Sequence, residues 1–269
     1  MSRQGRRLAR LAERNVDGDN LFRLEGETAF ITGGGTGLGL AIARCMASAG
    51  AKVILAGRRL AVLKAAAAAI GTRAGFVVCD VTKANHASRV VAKAEVLFGP
   101  VTILVNNAGV HLKKPALATS DAEFKEVFKT HVLGSHALIR GVLPGMLQRR
   151  HGSIVLIASM ASLFGIPNVF AYSAAKSAYL GMVRALATEV SPAGVRVNAI
   201  APGWIETDMT RQVMAGDAAR RRRILARTPL GRFGEPADVG AAAVYLCSPA
   251  AKFVTGAVLP VDGGVSIGF

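Results

Sequence analysis

The sequence predicts an α/β fold: a doubly wound parallel sheet with helices on both faces, in one domain. Three observations predict it. From residue 27 onward, short apolar runs alternate with stretches of helical period, each long enough to cross from one parallel strand to the next. A glycine-rich turn stands between the first apolar run and the first helical stretch, where open parallel sheets place their ligand-binding loops. No repeat, linker or break in composition divides the 269 residues, a length that one well-filled core accommodates.

Residues 28–32 read as the first buried strand, followed by a helix over 37–49. The Val-Ile-Leu-Ala run at 53–56 is the second strand and precedes a helix over 59–70. Residues 76–79 form the third strand, with a helix over 84–98, and Ile-Leu-Val at 103–105 the fourth, with a long helical segment over 121–149. Strands at 154–158 and 195–200 flank a helix over 171–190, and a final strand is expected at 258–261. Right-handed crossovers connect such strands. The domain is expected to span 22–269, with residues 1–21 a basic extension. In it Arg3, Arg7, Arg10 and Arg14 recur at helical spacing, which suits a mobile tail, an early start site or a short docking helix. No apolar run there is long enough for a signal peptide or a membrane helix.

Hydrophobic residues make up 51% of the chain and charged residues 19%, which excludes a disordered chain. Cys45, Cys79 and Cys247 stand far apart with no CxxC pair, so neither a disulfide framework nor a zinc knuckle is expected, and no metal. A reducing cytoplasm is the natural setting. The net charge of +16 would suit a nucleic-acid binder. Arginine outnumbers lysine 23 to 10, however, so part of the excess reflects residue preference. No helix-turn-helix, aromatic RNA platform or zinc spacing accompanies the charge, so neither a nucleic-acid nor a membrane partner is expected.

After the first strand stand Thr32, Gly33, Gly34, Gly35, Thr36, Gly37, Leu38 and Gly39, opening a helix. Glycines permit the tight turn and let backbone N–H groups approach a pyrophosphate at the helix's positive end. Alone they are also what any tight turn uses. At the end of the second strand come Gly57, Arg58 and Arg59. An acid there would bind a ribose 2′-hydroxyl, whereas arginine suits a 2′-phosphate. This predicts NADP(H) in preference to NAD(H), with Arg58 the stronger candidate, since Arg59 could simply begin a solvated helix.

The TGxxxGxG spacing, Asn106-Asn107-Ala108-Gly109, Tyr172-Ser173-Ala174-Ala175-Lys176 and Pro202-Gly203 together resemble the short-chain dehydrogenase/reductase family, from about residue 22 to the end. The resemblance implies a Rossmann-type fold and an oxidoreductase acting on CH–OH groups. It assigns cofactor contacts to Gly33, Thr36, Gly37, Leu38, Gly39, Asn107, Ala108 and Gly109, with Asp80 and Val81 bordering the adenine. Pro202, Gly203, the Ile205 backbone and the Thr207 side chain are implied to hold the carboxamide and pyrophosphate. It also implies a homotetramer or homodimer built through the long fourth and fifth helices and the segment 256–269.

Tyr172 and Lys176, four residues apart in a helical segment, project from one face. A phenol that ordinarily titrates near pH ~10 is a poor base at neutral pH, and a nearby ammonium or an oxidised nicotinamide would favour the phenolate. Tyr172 is thus the candidate general acid/base, with Lys176 lowering its pKa. By resemblance Lys176 and Tyr172 also bind the cofactor. Thirteen residues upstream lies Ser159, whose hydroxyl can donate to an oxygen that becomes negative; Ser162 is its competitor. Where the family usually has an asparagine that helps hold a relay water, this chain has His131. Histidine could hold that water or shuttle the proton, or could be a packed helix histidine.

Candidate substrate walls are residues 107–115, the loop 160–169, and a polar lid of one or two helices from Glu206 to about Arg227. Lys113 and Lys114, or the run Arg220 to Arg223, could recognise a carboxylate or phosphate, although such runs usually face solvent. The small-molecule substrate is expected to be a sugar acid, polyol or similar carbonyl compound, because Lys113-Lys114 before Pro115, Ser159-Met160 and the stretch 227–236 resemble gluconate 5-dehydrogenase members. The alternative is a 3-oxoacyl-[acyl-carrier-protein] reductase, an enzyme that docks an acidic carrier through two basic residues. Arg150 matches one of those positions and Ala193 stands at the other. A non-catalytic cofactor sensor or nucleic-acid-binding module is the remaining alternative, and the presence of Ser159, Tyr172 and Lys176 argues against it.

Overall fold

Seven parallel strands form one sheet in the order β3-β2-β1-β4-β5-β6-β7. The computed structural model describes residues 20–207, 210–211 and 217–268. Strand β1 (Thr28–Thr32) lies centrally, paired with β2 (Lys52–Gly57) on one side and β4 (Ile103–Asn106) on the other. The chain therefore winds outward through β2 to β3 (Ala74–Val78), then returns across β1 to β4 and proceeds through β5 (Gly152–Ile157), β6 (Val195–Pro202) and β7 (Val258–Val261). That reversal leaves a crevice beyond the carboxyl ends of β1 and β4, the place where open α/β sheets bind ligands.

Alternation along each strand builds two cores. Phe30, Ile54, Leu104 and Ile154 face α3 (Ala87–Phe98), α5 (Gly134–Arg149) and α6 (Phe170–Val190). Ile31, Leu55, Val105 and Val155 face α1 (Gly37–Ser48), α2 (Leu60–Ile70) and α8 (Pro236–Cys247). Both faces of the sheet are thus covered, which is why the strands read as unbroken apolar runs. Each fully buried Ile, Leu or Phe contributes on the order of 1.5–3 kcal/mol over leaving it exposed.

The predicted doubly wound sheet is present, with differences in detail. The third strand begins two residues earlier than expected, at Ala74, because Val53 N–H bonds to Arg73 and draws that stretch into register. The segment 84–98 opens with a 3₁₀ turn, Ala84–His86, before α3. The segment 121–149 is not one helix. It divides into α4 (Asp121–Phe128), a π-helical turn (Lys129–Leu133) and α5. Ser120 starts α4 with a reciprocal capping box to Glu123.

Helix α8 was not expected at all. Its start is marked by Pro236 in the first turn and by a capping box between Glu235 and Asp238. In the lid, α7 (Ala218–Arg227) is capped by Asp217, whose carboxylate accepts from Arg220 N at 2.8 Å. Thr210 and Arg211 are helical, and the rest of the proposed lid between them and Asp217 lies outside the described residues. So does the basic stretch 1–19. The folded body is tied from Leu21, whose carbonyl accepts from Ala250 N, and Leu24 is fully buried.

Candidate active site

The glycine loop after β1 is shaped by close approaches that exclude side chains. Gly33 sits at φ +65°, and a Cβ there would stand 2.8 Å from Asn107 Nδ2. A Cβ on Gly39 would collide with the Gly33 carbonyl. Asn107 and Thr32 brace the ends of β1 and β4: Asn107 Nδ2 donates to Thr32 O at 2.8 Å, and Asn107 and Ala108 N–H both donate to Thr32 Oγ1 at 2.9 Å. Of the predicted cofactor residues, Gly33, Thr36, Arg58, Arg59, Asp80, Val81, Ala108 and Gly109 line one cleft of about 210 Å³. Gly37, Leu38 and Gly39 form the loop and first turn of α1 beside it, and Asn107 acts as the brace.

This cleft suits a phosphorylated dinucleotide. The amino end of α1 opens onto the glycine loop, the hydroxyl of its cap Thr36 makes no capping bond, and its first turn holds no acidic side chain, which leaves a positive helix end for an anion. The carboxylate of Asp80 is committed inward, accepting from Thr82 N at 3.0 Å and Thr82 Oγ1 at 2.8 Å, bonds that together with Arg58 hold its pKa low. Gly57 leaves no acid at the end of β2, so Arg58 and Arg59 border the cleft there, with the Asp80 carboxylate turned to Thr82.

A second cavity of about 160 Å³ contains Ser159, Tyr172, Gly203 and Ile205. Ser159 follows β5, and its Oγ accepts from Ala161 N at 3.1 Å while hydrogen-bonding the Tyr172 phenol. Accepting from Ala161 leaves the hydroxyl proton free to be donated. Ser162 instead lies on a separate groove, its buried hydroxyl without a hydrogen bond. Lys176 is 3% exposed and donates from Nζ to Ile157 O at 2.5 Å. Its Nζ stands 5.8 Å from the Tyr172 ring centre and 4.9 Å from that of Tyr179.

Burial pushes the Lys176 pKa down to about 7 and raises that of Tyr172, with the Ser159 hydrogen bond opposing the latter shift. The expected depression of the Tyr172 phenol is therefore not produced by this chain alone: desolvation of the phenolate outweighs its neighbours.

His131 lies in the π turn, 1% exposed. Its Nε2 is 2.8 Å from Val110 O and 3.2 Å from Val110 N, and the shorter contact assigns the proton to Nε2. The buried Nδ1 is then an acceptor, and it has no partner. Burial and the Lys176 charge push the ring's pKa down to about 3, so it is neutral at physiological pH. Tyr179 was missed in the sequence although it continues the face of Tyr172 and Lys176 by one turn. Its hydroxyl donates to His131 O at 3.0 Å and meets Ser135 Oγ at 2.8 Å, fixing the π turn against α6. His111 was also missed, and no spacing marks it; its ring packs 4.9 Å from that of Tyr172.

Pro202 ends β6, buried. The Thr207 hydroxyl caps the following turn, accepting from Thr210 N at 3.2 Å. The two candidate lysines separate. Lys114 pairs with Glu123 at 2.8 Å, whereas Lys113 lines the second cavity with Arg220. Arg221, Arg222 and Arg223 are exposed, as expected for most of that run.

A family described as "Enoyl-(Acyl carrier protein) reductase" matches residues 33–266. Galactitol 2-dehydrogenase (L-tagatose-forming) of Cereibacter sphaeroides is 42% identical over 255 residues, covering 94% of this chain and 100% of the relative. The chain belongs to the short-chain dehydrogenase/reductase family. Another member, the 3-oxoacyl-[acyl-carrier-protein] reductase of Escherichia coli, is 36% identical over 91% of this chain and 99% of its own length. Among solved structures of the family, a gluconate 5-dehydrogenase from Burkholderia cenocepacia, in complex with NADP and tartrate, superposes with a TM-score of 0.90 at 31% identity, over 94% of this chain and 100% of the other.

Proposed function

We propose that the chain is an NADP(H)-dependent oxidoreductase that interconverts a secondary alcohol and a ketone, acting on a sugar acid, polyol or similar small carbonyl compound. The observation that carries this reading is the convergence of Ser159 and Tyr172 at a small cavity, with buried Lys176 set 5.8 Å from the Tyr172 ring centre. Bound in that cleft, NADP(H) supplies or removes the hydride. The protein's part is to place the substrate oxygen and manage its proton.

Tyr172, protonated at neutral pH, is the acid that gives its phenolic proton to the carbonyl oxygen in reduction and takes it back in oxidation. Ser159 donates its hydroxyl to the same oxygen and stabilises the charge that develops there. Lys176, anchored on Ile157 O, returns a proton to the phenol and orients the cofactor's ribose. His131 takes the asparagine's place as a positioning residue: its ring pins the strand of backbone at Val110, and the bare Nδ1 offers a water the acceptor that the relay needs.

NADP(H) is preferred because Arg58 and Arg59 border the cleft where an NAD-binding acid would stand. The relatives support the sugar-type substrate through galactitol 2-dehydrogenase and gluconate 5-dehydrogenase. The Escherichia coli relative favours a second reading, reduction of 3-oxoacyl thioesters. Arg150, the basic residue this reading would use for docking, donates to Pro192 O at 2.9 Å beside the neutral Ala193. Assembly as a homotetramer or homodimer is supported by Leu117 and Phe170, large apolar side chains exposed near α4 and on α6, and by exposed Ile267 in the terminal segment. A cytoplasmic location is consistent with three free cysteines, and among the described residues no helix is long and apolar enough to cross a membrane.

The test is oxidation of NADPH and NADH by 5-keto-D-gluconate and by a 3-oxoacyl thioester. The proposal expects NADPH-dependent turnover of the keto acid, lost in Tyr172→Phe. Turnover of the thioester alone selects the second reading, and activity on neither overturns both.

A further inference from the structure

We infer that the cavity beside Tyr172 selects its substrate by an anionic group, a carboxylate or a phosphate, gripped by Lys113 and Arg220. This rests on the proposed oxidoreductase reading and narrows its substrate class from polyols in general to acids or phosphate esters.

The charge in this cavity is unbalanced. His111, Lys113 and Arg220 all line it, and among the described residues no carboxylate does. The contrast with the adjacent lysine is informative. Lys114 has its counter-ion in Glu123 at 2.8 Å, whereas Lys113 has no ion pair among the described residues. Arg220 is the one member of its four-arginine run that turns inward. Its guanidinium lies 5.9 Å from the Trp204 ring centre, and its backbone is fixed by the Asp217 cap.

The imidazole of His111 reports the same concentration of positive charge. Burial lowers its pKa first, and Lys113 and Arg220 lower it further, so it stays neutral and can donate to or accept from a substrate hydroxyl. Met160, Ile166, Pro167 and Val169 supply the apolar part of the wall.

A neutral polyol in this space offers no counter-charge to exposed Lys113 or to half-buried Arg220. An anion meets both, and charge-assisted bonds from lysine and arginine are the stronger kind. The cavity is small beside the roughly 300–1,000 Å³ typical of pockets for larger ligands, which favours a compact acid over a long acyl chain.

The chain's single tryptophan is Trp204, so its fluorescence reports on this cavity directly, whether or not turnover occurs. The full chain is titrated, with NADP⁺ present, with D-gluconate, D-glucitol 6-phosphate and D-glucitol, three probes of one carbon skeleton. At least one of the two anions is expected to half-saturate at a concentration about tenfold or more below that of D-glucitol, and the tighter one names the group. Lys113→Gln and Arg220→Gln should each erase most of that advantage, with Arg220→Lys retaining part of it. Equal affinity for the neutral polyol, no response to either anion, or an advantage that survives both Gln variants would each overturn the inference. Failure of the oxidoreductase reading looks different: anion binding persists while no carbonyl substrate supports NADPH oxidation.

Discussion

Burial lowers the pKa of two bases at the site, and both shifts have measurable consequences. Lys176 titrates near 7 in the folded chain because burial disfavours its charge. Between that pH and the ordinary lysine value near ~10.4, the unfolded chain therefore binds the extra proton, and folding stability rises with pH by up to about 1.4 kcal/mol per pH unit. Urea denaturation of the wild type against Lys176→Met from pH ~7 to pH ~10 should show the difference moving in the wild type's favour as pH increases. His131 is neutral down to a pKa of about 3. If it positions a relay water, His131→Ala should lower kcat about tenfold or more and shift the pH profile, and His131→Asn should recover most of the rate. An alanine variant with full kcat and an unchanged profile would make it a packing residue. Ser159, Tyr172 and Lys176 were legible in the sequence because they are fixed by spacing along one strand end and one helix. His111 was not, since it reaches Tyr172 only through the path of the loop after β4, and no periodicity encodes that path.

At the level of elements, the strands and most helices could be read because a doubly covered parallel sheet writes itself as apolar runs between amphipathic stretches. Two features escaped for physical reasons. Helix α8, PADVGAAAVYLC, carries few polar residues because it is wedged between α1 and the sheet, so it shows almost no helical stripe. The π turn at Lys129–Leu133 adds a residue to one turn of an otherwise continuous helical segment. That only shifts the phase of the pattern, while bringing His131 inward against Val110. The α1–α8 contact depends on Gly240, where a Cβ would press on Cys45 Sγ and lie 3.1 Å from Cys45 Cβ and 3.2 Å from Ala41 O. Gly240→Val is expected to cost about 1–3 kcal/mol of stability through overpacking, read from the urea midpoint, with Cys45→Ala in the same chain returning part of the loss. Lid helix α7 has no buried residue and is held to the body by stacked arginines, Arg221 at 5.4 Å from Phe233 and Arg227 at 4.3 Å from Phe164. Arg227→Ala should raise KM several-fold with a smaller change in kcat, in steady-state assays.

Across the whole molecule, the net charge of +16 finds a partial use. Arg58 and Arg59 border one cleft and Lys113 and Arg220 the other, while most of the excess is spread over the exposed surface. Such a field steers anions and is screened by salt. The kcat/KM for NADPH is accordingly expected to fall several-fold between about 0.05 M and about 0.5 M NaCl, with kcat nearly constant. A flat response in stopped-flow binding would show that the surface charge plays no part. The last strand sets a limit on how copies of this chain can meet. In β7 the Val261 carbonyl accepts from Gly203 N, so the alternate residue Pro260, exposed at the sheet's rim, faces outward. A proline there has no N–H to offer an incoming strand. Continuation of the sheet past β7 therefore loses a ladder bond at Pro260, so a single ring disfavours runaway strand-on-strand pairing at this rim.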